Sequence, residues 1–281
     1  MAKGNLFLGT SRNSVGDVVM YRRDGAQVSR VRVRKVANPK TAAQCLQRSA
    51  FSPAAKFYAP LAVTLAKSWE GLSKAKSYAA FLKQAVTDAR ANSWLLKKGT
   101  AFFPLPYKLS QGTVQPTFGE FDHDHHRLKV TNVQLGETYQ TIGQVSAAFI
   151  AAGYKPGDVV TFIGANSSRV TDDAVFIPMV DQFVISADST ATVNDVIKSF
   201  ELYEDNGILT IASLFNNLVA GAVIVSRWEN EKWRRSTQSL ICDEAIYDIV
   251  QDQEFIQDAI ASYGATDADG NPMVYLDGEN A

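Results

Sequence analysis

The sequence predicts an α+β fold: an N-terminal β-hairpin with a helical hairpin or bundle, then a mixed, strand-rich domain with a C-terminal acidic helix. Three observations predict it. Residues 18–33 alternate apolar and polar about an Asp-Gly pair, and residues 41–97 place apolar side chains at helical spacing. Beyond a stretch rich in proline and glycine, short apolar runs are separated by turn residues.

The hairpin pairs Val18–Arg23 with Ala26–Val33 across Asp24-Gly25, a dipeptide suited to a two-residue turn whose central residues both need positive φ. That register puts Val18, Met20, Val31 and Val33 on one face and Tyr21, Arg30, Arg32 and Arg34 on the other. The three arginines form a comb about 13 Å long, at roughly 3.3 Å per residue. Like charges at this spacing repel, so the comb is steadied by an anion. Phosphate backbone is one candidate and carboxylates of the acidic half are another.

Pro39 disfavours helix at Asn38, and Thr41 with Gln44 has the spacing of a capping box, so a helix follows with Cys45, Leu46 and Ala50 inward. Ser52-Pro53 predicts a fresh helix start or a bend. Phe57, Leu61, Leu65 and Trp69 recur every four residues, with a kink expected at Pro60. A second helix begins near Ser73 with Tyr78, Phe81, Leu82 and Val86 inward, and lysines and Arg90 outward. Gly99, Pro104, Pro106, Gly112 and Pro116 break any helix, which predicts domains at 1–98 and 119–281 joined by a linker at 99–118. In the second domain, strands are expected at 128–133, 159–163, 174–185 (interrupted by Pro178), 208–212 and 222–228, with a return strand at 233–240. A helix is expected at 142–152 with Thr141 as cap, an amphipathic acidic helix at 242–260, and a terminal hairpin turn at Asp269-Gly270.

Charge is split along the chain although the formal net is only −1. Residues 1–50 hold ten basic residues against Asp17 and Asp24, a net of +8, and residues 51–100 hold eight against Glu70 and Asp88, a net of +6. The remaining 181 residues therefore carry −15. Such polarity points either to a polyanion at one end or to head-to-tail contact between neighbouring copies.

Most chemistries lack their residues. No apolar run reaches the roughly 18 residues of a membrane helix, and Met1–Asn5 carries no apolar stretch of a cleaved signal peptide. Cys45 and Cys242 cannot build a disulfide framework or a four-cysteine zinc site; Cys45 reads as core, and Cys242 as the start of a helix, where a thiol can be acidified. All three histidines lie in Asp122–His126, which reads as a solvated turn rather than a metal site. Asp267–Asn271 fails as a calcium loop, because Ala265 and Leu276 fall at the first and last ligand positions. Phosphate-loop, dinucleotide and nucleophile-elbow motifs are absent from the sequence. The expectation is a protein that is not an enzyme and needs no cofactor or metal. The candidate nucleic-acid-binding residues are Tyr21, Arg22, Arg23, Arg30, Arg32, Arg34, Lys35, Lys40 and Arg48.

A set of motifs adds to this reading. Val18-Val19-Met20-Tyr21, Gly25, Gln27-Val28, Arg30, Arg32, Asn38-Pro39-Lys40-Thr41, Gln44 and Gln47-Arg48 resemble a group of proteins carried by gut Bacteroidetes bacteria, their phages and small circular DNA viruses. The resemblance continues through Trp69-Glu70-Gly71 and Ser77–Phe81, with echoes at Pro106–Thr113 and Gly157–Phe162. It implies a viral or mobile-element protein, and it supplies no catalytic residues. The function expected is that of a self-assembling coat or capsid-associated subunit, made in the host cytoplasm and residing in the virion. Its basic N-terminal half would face genomic DNA or RNA without sequence preference. The alternative is a soluble accessory protein that binds single-stranded DNA.

Overall fold

The computed structural model describes residues 13–15, 17–23, 26–32, 40–137, 139–168, 175–214, 217–251 and 253–266. The fold is α+β, with about 29% helix and 38% strand among the described residues. It divides into two compact units, residues 1–39 and 40–281.

The first unit holds a three-stranded antiparallel sheet of β1 (Asn13–Val15), β2 (Val18–Arg23) and β3 (Ala26–Val31), in that order. The β2–β3 register pairs Val18 with Val31, Val19 with Arg30 and Arg23 with Ala26, so two residues separate the strands, as the Asp-Gly pattern requires. The turn itself lies outside the described residues, and β1 has no counterpart in the sequence reading.

The second unit begins with α1 (Ala42–Leu61) and α2 (Lys74–Ala91). The Thr41 side chain accepts from the Gln44 amide, and the Ser73 side chain from the Lys76 amide, satisfying orphan donors at both starts. α1 runs from Ala42 to Leu61 with Pro53 inside it, so no second helix begins at Ser52; Pro60 falls in the final turn. In α2 the fully buried line is Ser77, Phe81, Ala85 and Ala89, one residue every four. Phe57 stacks on Phe81 and Phe102 and tilts against Tyr107, an aromatic knot joining both helices to the chain that follows.

That following chain corrects the expected linker. Leu105, Tyr107 and Leu109 are fully buried, and β4 (Lys108–Ser110) pairs with β13 (Gln238–Ser239). Proline here excludes helix but not burial, so the division falls at Pro39/Lys40 rather than at 99–118.

Two antiparallel sheets follow. One has the order β5 (Gly119–Asp122), β6 (Arg127–Gln134), β10 (Ile208–Ser213), β9 (Phe200–Asp205). The other has the order β12 (Lys232–Arg235), β11 (Leu218–Glu229), β7 (Val159–Ser168), β8 (Val175–Val184), with β14 (Ile241–Cys242) also paired to β11. Between the sheets lies one core, which includes Leu128, Val130, Phe162, Phe183, Phe200, Leu209 and Val223. α3 (Ile142–Ala151) and the short α4 (Val193–Val196) contribute to it, α3 starting from a complete capping box between Thr141 and Gln144. The sheets approach closely over a register pair of glycines: a β-carbon on Gly164 would meet the Phe200 ring at 2.7 Å, and one on Gly221 would meet Leu128 at 2.9 Å.

Ile163, Ala165, Ala222 and Ile224 point to the opposite face of the five-stranded sheet, into a second core with α1, α2, α5 (Glu244–Gln251) and α6 (Gln253–Ser262). That sheet is therefore covered on both faces, which is why β11 reads as a continuous apolar run instead of an alternation. β8 is an edge strand and passes through Pro178 without interruption. The expected helix 242–260 is corrected: Cys242 ends a strand, and two helices, α5 and α6, follow it. Asp269-Gly270 lies outside the described residues. No helix among the described residues is long and apolar enough to cross a membrane.

Candidate nucleic-acid interface

The N-terminal sheet displays the predicted comb as far as it is described. Val18, Met20, Ser29 and Val31 share one face; Val19, Tyr21, Val28 and Arg30 share the other, and Arg32 continues it. Arg30 and Arg32 are exposed, and the Arg30 guanidinium lies 5.8 Å from the centroid of the half-exposed Tyr21 ring, on the diagonal between strands. A cation beside an accessible aromatic face offers phosphate attraction and base stacking within one side-chain pair. The backbones of Arg22 and Arg23 lie in β2 opposite Gln27 and Ala26. Arg34 and Lys35 lie outside the described residues.

Lys40 and Arg48 belong to the second unit. Lys40 is exposed at φ 51°, and its carbonyl accepts from the Thr266 amide and faces the Cys45 thiol at 3.6 Å. Arg48 is half-buried on α1. The helical surface beyond them carries exposed Lys67, Lys74, Lys76, Lys83, Arg90 and Lys98, while Lys97 pairs with Asp258 at 2.8 Å.

Three features escaped the sequence reading. First, the 228–233 turn brings two indoles together. Trp228 and Trp233 face each other across β11 and β12, their ring centroids 5.3 Å apart in a T-shaped pair, and they are 57% and 38% exposed. Asn230 and Glu231 both have positive φ, 52° and 59°, as a two-residue hairpin turn requires. Second, these indoles border a groove of about 900 Å³ that also includes Lys67, Trp69, Glu70, Gln111, Lys232 and Arg234. Glu70 bonds Arg234 and accepts from both the amide and the hydroxyl of Thr113 at 2.9 Å. Burial opposes its ionisation, but these bonds hold its carboxyl below the usual range.

Third, the histidine turn is fastened. His123 Nδ1 lies 2.6 Å from Oδ1 of the buried Asp243, and His126 Nδ1 lies 3.5 Å from Oδ2. The Ala245 amide donates to the same carboxylate at the start of α5. The bond to Asp243 raises the His123 pKa above its ordinary 6.5, with Asp124 and Glu244 adding to it. His125 instead binds Asp122 within the turn. Asp243 carries no local sequence signal for this role, because its partners lie about 120 residues away. Among the described residues, no group of three or more metal-ligating side chains gathers.

Cys242 is corrected chemically as well. It lies buried in β14 against Ala220, and burial pushes its thiol pKa up, the opposite of acidification at a helix start.

No family model, no curated protein and no solved structure matches this chain.

Proposed function

We propose that this is a viral structural protein, a coat or capsid-associated subunit that self-assembles and turns its basic N-terminal half toward packaged nucleic acid. It would be made in the host cytoplasm and reside in the virion. The observation that carries the reading is the exposed Arg30–Arg32 ladder with Tyr21 on a thin sheet, in a chain whose first hundred residues net +14 against −15 for the rest. Its affinity would be sequence-independent and salt-sensitive, because neutralising phosphate releases counterions. The other face of that sheet supports self-association. Val31 is 73% exposed there, and a small sheet gains little stability until its apolar face is covered.

The test is size-exclusion chromatography with negative-stain microscopy, alongside oligonucleotide binding across a salt series. Assemblies far larger than the 30.7 kDa chain are expected, together with a log–log salt slope that falls by about 2 when Arg30, Arg32 and Arg34 are replaced by alanine. Monomeric elution with no binding at low salt would overturn the proposal. Binding by a monomer would favour the alternative, a single-stranded DNA-binding accessory protein, which the Tyr21–Arg30 pair favours.

A further inference from the structure

We infer that the groove beside Trp228 and Trp233 is a second contact for single-stranded nucleic acid, taking a base on the Trp228 indole and phosphates on Lys67 and Lys232. The inference rests on the nucleic-acid reading above and names a site which that reading does not use.

Large exposed indoles are the groove's first feature. β11 is buried from Leu218 to Ser226, apart from half-buried Val219, and then projects Trp228 into solvent. The Trp233 ring already meets the Trp228 ring and has the Arg235 guanidinium 5.8 Å from its centroid. Trp228, the more exposed of the two, is the open platform. It is held in place by its cross-strand partner and by a strand fixed on both faces, so little conformational freedom is lost when a flat ring docks on it.

The polar groups select the class of ligand. A neutral glycan needs free amide and carboxylate groups to bond its hydroxyls. Here both Glu70 oxygens are engaged by Arg234 and Thr113, and Gln111 Oε1 faces Lys108 Nζ at 3.3 Å. The ammonium groups of Lys67 and Lys232 are exposed and form no ion pair among the described residues, with Glu231 at the turn as the opposing charge. Lys67 sits at φ 57°, a left-handed backbone that an L-residue adopts at some cost, in the turn after α1. Aromatic face plus two exposed cations matches a base and its flanking phosphates.

The experiment titrates the full chain into fluorescein-labelled (dT)20, following anisotropy and indole emission, with cellohexaose as a neutral competitor. Wild type should bind with indole quenching. Trp228→Ala should weaken binding about tenfold with the salt slope unchanged, since stacking releases no counterions. Lys67→Ala with Lys232→Ala should lower the slope by about 1.4, at roughly 0.7 per charge on a single strand. Circular dichroism melting confirms that each variant is folded; Trp228 lies at an exposed hairpin end, and Trp228→Phe, which keeps a ring, should recover part of the loss. If Trp228→Ala binds like wild type while Arg30→Ala with Arg32→Ala weakens binding, the groove assignment is overturned and the proposed function stands. If no form binds at low salt, both fall. Displacement of (dT)20 by cellohexaose would make the groove a glycan site and overturn the inference.

Discussion

The hairpin that carries arginines and the hairpin that carries tryptophans are built on the same plan and anchored in opposite ways. β2–β3 and β11–β12 both reverse direction within two residues. The first stands in a thin three-stranded sheet with an exposed apolar residue, Val31. The second is the tip of a strand whose inner part is covered on both faces and tied to β7, β14 and β12. Charge acts over several ångströms and tolerates a mobile support. Stacking needs a ring held within a fraction of an ångström, and here the rings stand at the tip of a strand whose inner part is packed on both faces.

The largest expected effect comes from loosening the root of the tryptophan hairpin. Arg227 grips the buried Asp158 bidentately, Nε to Oδ1 at 2.8 Å and Nη2 to Oδ2 at 2.6 Å, one residue before Trp228. Arg227→Ala leaves that carboxylate unpaired and should cost about 3–5 kcal/mol, read as a fall in the urea midpoint. Hydrogen exchange should show β11–β12 loosened while β2–β3 is unchanged. A loss below about 1 kcal/mol would mean that sheet packing alone anchors the hairpin.

A third hairpin, β5–β6, sharpens the contrast because its turn is fastened by charge. The His123–Asp243 pair raises the folded pKa of His123 above its unfolded value near 6.5. Its contribution is therefore complete below pH 6.5 and is lost as pH climbs through the raised folded value. Thermal midpoints should decline over that interval in wild type and show a shallower decline in His123→Ala. Identical pH profiles for the two proteins would eliminate the latch.

The smallest effect concerns the turns themselves. Glu231 holds φ 59°, which glycine adopts freely, whereas the first hairpin already has glycine at the corresponding position, Gly25. Glu231→Gly would give the second hairpin an Asn-Gly turn and should stabilise it by roughly 0.5–1 kcal/mol in thermal melts. A loss of stability would show that the Glu231 side chain contributes more than its backbone strain removes.

Local signals were legible in the sequence and long-range ones were not. Asp24-Gly25 with flanking alternation marked the first hairpin in the register observed for its strands, and Thr41, Ser73 and Thr141 marked helix starts. Pro104 and Pro106 correctly excluded helix, but the burial of Leu105 and Tyr107 depends on α1, α2 and the sheet behind them. Pro178 suggested a break because its position on the sheet edge is a property of topology, set by where β7 lies. Cys242 read as helix because the apolar spacing of 246–260 extends backward past Asp243, where β14 ends and α5 begins. At the candidate interface, the Tyr21–Arg30 face followed from the period of a strand. The tryptophan groove did not, because Trp69, Glu70 and Arg234 meet only after β12 folds back beside the chain that follows α1.

Thr41 and Thr266 form a parallel bridge, reinforced by the Thr266 amide on the Lys40 carbonyl. The start of the large unit and Thr266 therefore lie side by side. New ends opened at the Asn206-Gly207 turn, with a short peptide joining Thr266 to Lys40, would encode the contacts of residues 40–266 in rotated order. A peptide inserted beside either threonine would be presented at one shared spot on that unit.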